Sequence, residues 1–127
     1  MNLVDSSGWL EYFGDGLNAD FFAEAIEDVE NLVVPAICLY EVYKLAHQLR
    51  GITDTANCIG DMLRGYVVEL DTALALDAAR ISLETKLAMA DSMILATARS
   101  YDAILWTQDA HFRGLPDVRY IEKTQSP

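Results

Sequence analysis

Lysine and arginine are scarce in this chain: nine among 127 residues, against twenty Asp and Glu, for a formal net charge of −11. None of the nine precedes Lys44, so residues 1–43 carry nine acids alone, while residues 44–127 carry eleven acids against nine bases. That balance excludes a protein that grips nucleic acid by bulk positive charge. It does not exclude an enzyme acting on nucleic acid, because the charge is unevenly spread. Cysteine is nearly absent. Cys38 and Cys58 lack metal-ligand spacing and sit in apolar helical contexts, as buried, reduced thiols of an intracellular protein do. The two histidines, His47 and His111, are too few and too far apart for a zinc site, and His47 falls on an exposed helix face. Long apolar runs are missing too. Leu32 to Tyr40 is the longest polar-free stretch and is interrupted by Pro35, which excludes a membrane span. No basic region and apolar run precede Asp5, so no signal peptide is expected, and the expected setting is the cytoplasm.

What is present is enough for a core. With 52 % hydrophobic and 23 % charged residues, residues 1–127 read as one globular domain. A chain of this size buries about two-thirds of its unfolded surface and needs no staples. Short β-type runs alternate with helical ones. Leu3-Val4 starts a strand that ends at Asp5, and Ser6 or Ser7 caps a helix running to Phe13. In residues 19–30, Phe22, Ala25, Ile26 and Val29 share one helical face. Leu32–Val34 is a second strand, and Pro35 opens a helix over 36–50 that ends near Gly51. Helices follow over 53–64, 72–86 and 91–101, with strands at 66–70, 103–106 and, at the sheet edge, 118–121. Thr124 to Pro127 reads as a frayed tail. The alternation predicts a parallel sheet flanked by helices, with any site at the carboxyl ends of its strands. That rule selects Asp5 and the segment Thr107-Gln108-Asp109.

The informative acids are those that break an apolar pattern. Ile37, Glu41 and Leu45 lie in one line along the 36–50 helix, which puts a carboxylate at a position assigned to the interior. Asp91 aligns with Ile94, Leu95 and Ala98 at the start of its helix. Buried carboxylates need a cation, a proton or donors, so Asp5, Glu41, Asp91 and Asp109 are candidates for one pocket. Each also has a plainer reading. Asp5 fits a helix cap or turn, Asp91 a first-turn acid favoured by the helix dipole, and Asp109 the cap of a short helix holding His111 and Phe112. Glu41 fits a pair with Lys44. As a set, oxygen-only donors select hard cations, Mg2+ or Mn2+. Such carboxylate-held ions are the usual apparatus of phosphodiester hydrolysis.

The segments VDSS (4–7), YEVYK (40–44), LAMADSMILATAR (87–99) and LWTQDAHF (105–112) resemble, in order and across nearly the whole chain, the signature blocks of PIN-domain ribonucleases. Among these the chain is most similar to the VapC-type toxins of type II toxin–antitoxin modules. The resemblance implies a three-layer α/β/α sandwich with a short, mainly parallel central sheet. It also implies Mg2+- or Mn2+-dependent endonucleolytic cleavage of RNA without a covalent enzyme intermediate. Position by position, the family's metal-binding acids match Asp5, Glu41, Asp91 and Asp109, the fourth being the more variable position. Ser6 and Thr107 match small polar neighbours that orient the carboxylates or bound water. Lys44, Lys86, Arg99 and Arg113 flank the acidic blocks as phosphate contacts, each also readable as an ordinary solvated charge.

Further implied are a homodimer, a cognate VapB-type antitoxin whose tail blocks the acidic groove, and contact with DNA only through that antitoxin. Apolar surface for these partners is sought at Trp9, Tyr12, Phe13, Tyr40 and Tyr43, with core packing as the alternative, above all for Phe13 and Tyr40. The competing functions are a PIN-domain ribonuclease of RNA processing, a catalytically silent binding module and a phosphoacceptor signalling domain. The last expects adjacent acids after the first strand and a lysine after a late one; here Asp5 stands among serines, and Trp106-Thr107 ends the late strand.

Overall fold

A computed structural model describes residues 1–124. Its sheet has five strands: β1 (Asn2–Val4), β2 (Leu32–Pro35), β3 (Tyr66–Val68), β4 (Ile104–Thr107) and β5 (Val118–Tyr120). All neighbours are parallel, in the order β3-β2-β1-β4-β5. The strands are short apolar runs because both faces are covered: all four residues of β2 are buried, as are Leu105, Trp106 and Thr107 of β4. β1 is the pivot, with Leu3 opposite Val33 on one side and Leu105 on the other. The chain leaves β1 towards β2 and later returns to β4 on the opposite side, so the carboxyl ends of β1 and β4 flank the topological switch point. Among the described residues, no helix is long and apolar enough to cross a membrane.

Among the described residues, six α-helices surround the sheet: α1 (Ser6–Phe13), α2 (Ala19–Ile26), α3 (Ala36–Arg50), α4 (Ile52–Met62), α5 (Thr72–Thr85) and α6 (Met89–Ser100). α1 is capped by Asp5, whose carboxylate accepts from the Gly8 amide at 2.9 Å; Ser6 and Ser7 lie inside the first turn, one and two places after the cap. β1 stops at Val4, Asp5 keeps an extended backbone, and its side chain alone reaches the free amides of the helix end. α2 ends at Ile26 and a 3-10 turn covers Val29–Asn31, so the helix expected over 19–30 stops early. Glu24, Glu27, Asp28 and Glu30 crowd the negative end of the helix dipole with no Lys or Arg among residues 19–31 to offset them. The amide of Asn31 instead bonds the Asp28 carboxylate.

The phase of α3 differs from the expectation by one residue. Its interior line is Cys38, Val42 and Ala46, whereas Leu45 is 40 % exposed and Ile37 and Glu41 are half-buried. A step of one residue turns a helix by about 100°, which carries Glu41 from the core to its margin. Trp9, sought at the surface, is wholly buried and stacks on Phe13, itself half-buried. Tyr40, expected in the core, is 61 % exposed on the face of α3 away from the Cys38 line. Cys38 and Cys58 are free and buried, as expected.

The end of the described chain is tied down. Asn18, buried between α1 and α2, donates to the Gln108 side chain and to the Glu122 carbonyl, and accepts from the Thr124 hydroxyl at 3.1 Å. Thr124 is therefore bonded rather than frayed, and residues 125–127 of the expected tail lie outside the described residues.

Candidate metal centre

Asp5 follows β1 directly and is 3 % exposed. One carboxylate oxygen accepts from the Ser7 hydroxyl at 2.8 Å and the Gly8 amide at 2.9 Å; the other accepts from the Thr107 hydroxyl at 2.6 Å. Burial nonetheless pushes its pKa up from 3.8 to about 6, with a smaller push from the charge of Asp109. Thr107, the last residue of β4 and itself buried, also accepts from the Asp109 amide at 2.9 Å. One hydroxyl thus joins the first acid to the fourth.

Glu41 enters from α3, and its Oε1 accepts from the Ser6 hydroxyl at 2.7 Å. Asp91, the third residue of α6, is half-buried. Partial burial raises its pKa, as do the charges of Asp109 and Glu41, while His111 opposes them. Asp109 caps the 3-10 turn Ala110–Phe112 by accepting from the His111 amide at 2.9 Å. Asp109 is therefore a cap, as its plain reading has it, and it also lies beside Asp91 and acts on the charge of Asp5. The same holds for Asp5, which caps α1 and faces Asp109 and Thr107. Cys38, beneath the cluster, is wholly buried, and its thiol pKa is driven up first by burial and then by Asp5, Glu41 and Asp91.

His111, set aside when zinc was considered, faces the cluster. Its Nδ1 lies 3.3 Å from Asp109 Oδ1 and 3.5 Å from Asp91 Oδ2, and one donor atom from each of the three residues falls within 4.8 Å of the others. Counting histidines against a zinc template hid it; the signal in the sequence was the imidazole two residues after a strand-end acid. Ser7 was missed as well, masked by its reading as a helix cap. Asp109 repels both Asp5 and Asp91, and Glu41 repels Asp91. Asp91 and Asp109 alone among the four acids come within 4.8 Å together with His111. Such hard oxygen donors fit a divalent cation.

Of the expected basic contacts, Lys44 stands one turn beyond Glu41 on the exposed face of α3, its Nζ 6.0 Å from the Tyr40 ring centroid. Lys86 ends α5 in a left-handed conformation at the turn into α6. Arg113 follows the 3-10 turn and lies over Tyr120. Arg99 is not with the others: eight residues past Asp91, it is about 12 Å further along α6. There it lines a cavity with Asp77, Arg80 and Glu84. A larger groove of about 760 Å³ runs over α3 and α4 past Leu39, Tyr40, Tyr43, Lys44 and Ile59.

Solved structures share this fold over nearly their full lengths. A toxin–antitoxin complex from Klebsiella pneumoniae superposes with a TM-score of 0.79 at 22 % identity, covering 94 % of this chain and 96 % of that one. VapC20 of Mycobacterium tuberculosis, a toxin that cleaves the sarcin–ricin loop, gives 0.76 at 14 % identity, with 91 % and 95 % covered. DNA-bound VapBC from Salmonella typhimurium gives 0.73 at 19 %, with 96 % and 98 % covered. Comparison with curated protein sequences finds no match. The PIN domain model, however, matches residues 3–118, from β1 to the start of β5 and across all four acids. That match sets aside the phosphoacceptor reading, and the chain belongs to the PIN domain family.

Proposed function

We propose that this chain is a VapC-type endoribonuclease toxin that hydrolyses RNA phosphodiester bonds with Mg2+ or Mn2+ and is silenced by a cognate antitoxin. The observation that carries the reading is that acids from two strand ends and two helices act on one another, Asp109 on Asp5 and Asp91 and Glu41 on Asp91, with Asp91 and Asp109 close enough to share one ion. These four residues would hold the ion. When bound, it supplies charge neutralisation at the phosphate and activates a water for attack. The chain's own part is positional. Thr107, Ser7 and the Gly8 amide fix both oxygens of Asp5, and Ser6 fixes one oxygen of Glu41. Cys38 is too buried to act as a nucleophile, in keeping with hydrolysis that passes through no covalent enzyme intermediate. Lys44, Lys86 and Arg113 are the proposed phosphate contacts.

The groove over α3 and α4 is the proposed antitoxin seat, since it offers exposed Tyr40 and Tyr43 over apolar Leu39 and Ile59. Nine acids with no Lys or Arg before residue 44 suit a basic partner segment, and a basic side chain entering the cluster competes with the ion. A homodimer acting in the cytoplasm, meeting DNA only through its antitoxin, completes the reading. The test is cleavage of end-labelled RNA by purified protein with Mn2+ or Mg2+. Asp5→Ala and Asp91→Ala are expected to abolish cleavage with the fold retained by circular dichroism; undiminished cleavage overturns the assignment. Growth arrest on expression alone, relieved by the adjacent small gene product, is expected of a toxin. Normal growth with intact cleavage assigns the chain to RNA processing instead.

A further inference from the structure

We infer that His111 is a nitrogen ligand on the Asp91–Asp109 side of the metal centre, and that it turns the centre's preference from Mg2+ towards Mn2+. The inference rests on the metal-dependent reading above. Its basis is local geometry. The Asp109 carboxylate holds the His111 amide at 2.9 Å, and the next residue, Phe112, is wholly buried, with its amide donating to the Asp109 carbonyl at 3.1 Å. The backbone of His111 is thus pinned at both sides, while its imidazole is 73 % exposed and lies beside two carboxylates from different elements. Among the described residues, this is the one trio of His, Cys, Asp or Glu whose donor atoms come within 4.8 Å of one another.

A plain ion pair accounts poorly for this placement. At 3.3 and 3.5 Å from the carboxylates, with the ring largely in solvent, such a pair contributes little to stability. As a ligand, the same ring changes the chemistry of the site. Mg2+ takes oxygen donors almost exclusively and gives up its waters reluctantly, whereas imidazole suits transition ions and binds Mn2+ more readily. Four carboxylates alone separate the two ions weakly; one imidazole added to them separates them more.

The experiment compares metal-free wild type with His111→Ala, a change at an exposed side chain that leaves the core untouched. Free Mn2+ is followed by electron paramagnetic resonance, and Mg2+ by its competition with Mn2+. The expected result is a loss of about tenfold or more in Mn2+ affinity, with much less change for Mg2+. Bound Mn2+ is expected to show nitrogen hyperfine coupling in the wild type and none in the variant. No nitrogen coupling in the wild type, or equal weakening of both ions, overturns the role given to His111. Failure of the wild type to bind either ion overturns the metal-dependent reading itself. The two failures are therefore told apart in one titration.

Discussion

Thr107 donates its hydroxyl proton to Asp5 across 102 residues of sequence, at 2.6 Å, in a place neither side chain shares with water. The same oxygen receives the Asp109 amide, so the ends of the two central strands are locked to each other through one side chain. Thr107→Val keeps the shape and removes both bonds. It leaves a buried carboxylate oxygen and a backbone amide unpaired, at a cost of about 1–3 kcal/mol. Urea unfolding checks the cost, and cleavage is expected to fall at least about tenfold, because Asp5 loses its orientation. Thr107→Ser is expected to restore most of both.

Asp5 makes the metal-free protein pH-dependent in a defined direction. Its folded pKa of about 6 exceeds the ordinary 3.8, so the folded state binds the proton more tightly. The associated stability is complete below pH 4 and is lost as the pH rises through 6. The full change amounts to about 3 kcal/mol for a two-unit shift. Measured in a chelator by urea unfolding, wild type relative to Asp5→Asn is expected to lose stability between pH 4.5 and 7.5. A flat difference refutes the prediction. Under the proposed function, saturating Mn2+ is expected to reverse the trend, since binding improves as Asp5 ionises.

The charge of Asp91 is disfavoured first by burial and then by repulsion from Asp109 and Glu41, with His111 in partial opposition. Asp91→Asn is expected to raise the melting temperature of the metal-free protein by a few degrees while abolishing cleavage. Mn2+ is expected to raise the melting temperature of the wild type and to leave that of the variant unchanged. A variant that melts lower than wild type in chelator, or one still stabilised by Mn2+, contradicts this account.

Gly8 is required by packing. A Cβ there would lie 2.6 Å from Phe22 Cε1 and 2.6 Å from Val4 Cγ1. Gly8→Ala is therefore expected to cost about 1–3 kcal/mol and to push α1 off β1. Because the Gly8 amide also bonds Asp5, the displacement reaches the acidic cluster. Thermal unfolding and cleavage are expected to fall together.

Much of this was legible in the chain itself. β2 and β4 are short apolar runs that only a doubly covered sheet explains, and strand-end acids mark the switch point of such a sheet. Periodicity failed where apolar residues surround most of a helix. On α3, Ile37 and Leu45 compete with Cys38 and Ala46 for the interior line, and only the neighbouring helices decide between them. Trp9 and Tyr40 exchanged their expected environments for the same reason, since their local patterns are alike and their tertiary neighbours are not. The approach of His111 to Asp91 joins two elements that are distant along the chain, a contact that spacing within either segment does not contain.

The four acids are spread from position 5 to position 109, and β4 is the neighbour that completes β1. A chain still emerging from the ribosome therefore has Asp5, Glu41 and Asp91 in hand while Thr107 and Asp109 have yet to appear. Until β4 slides in beside β1, the first acid lacks its strongest hydrogen bond and the fourth has no place. Making the protein is thus not the same event as making its activity. Fragments released before β4 carry no assembled cluster, so under the proposed function translation halted partway yields no active nuclease.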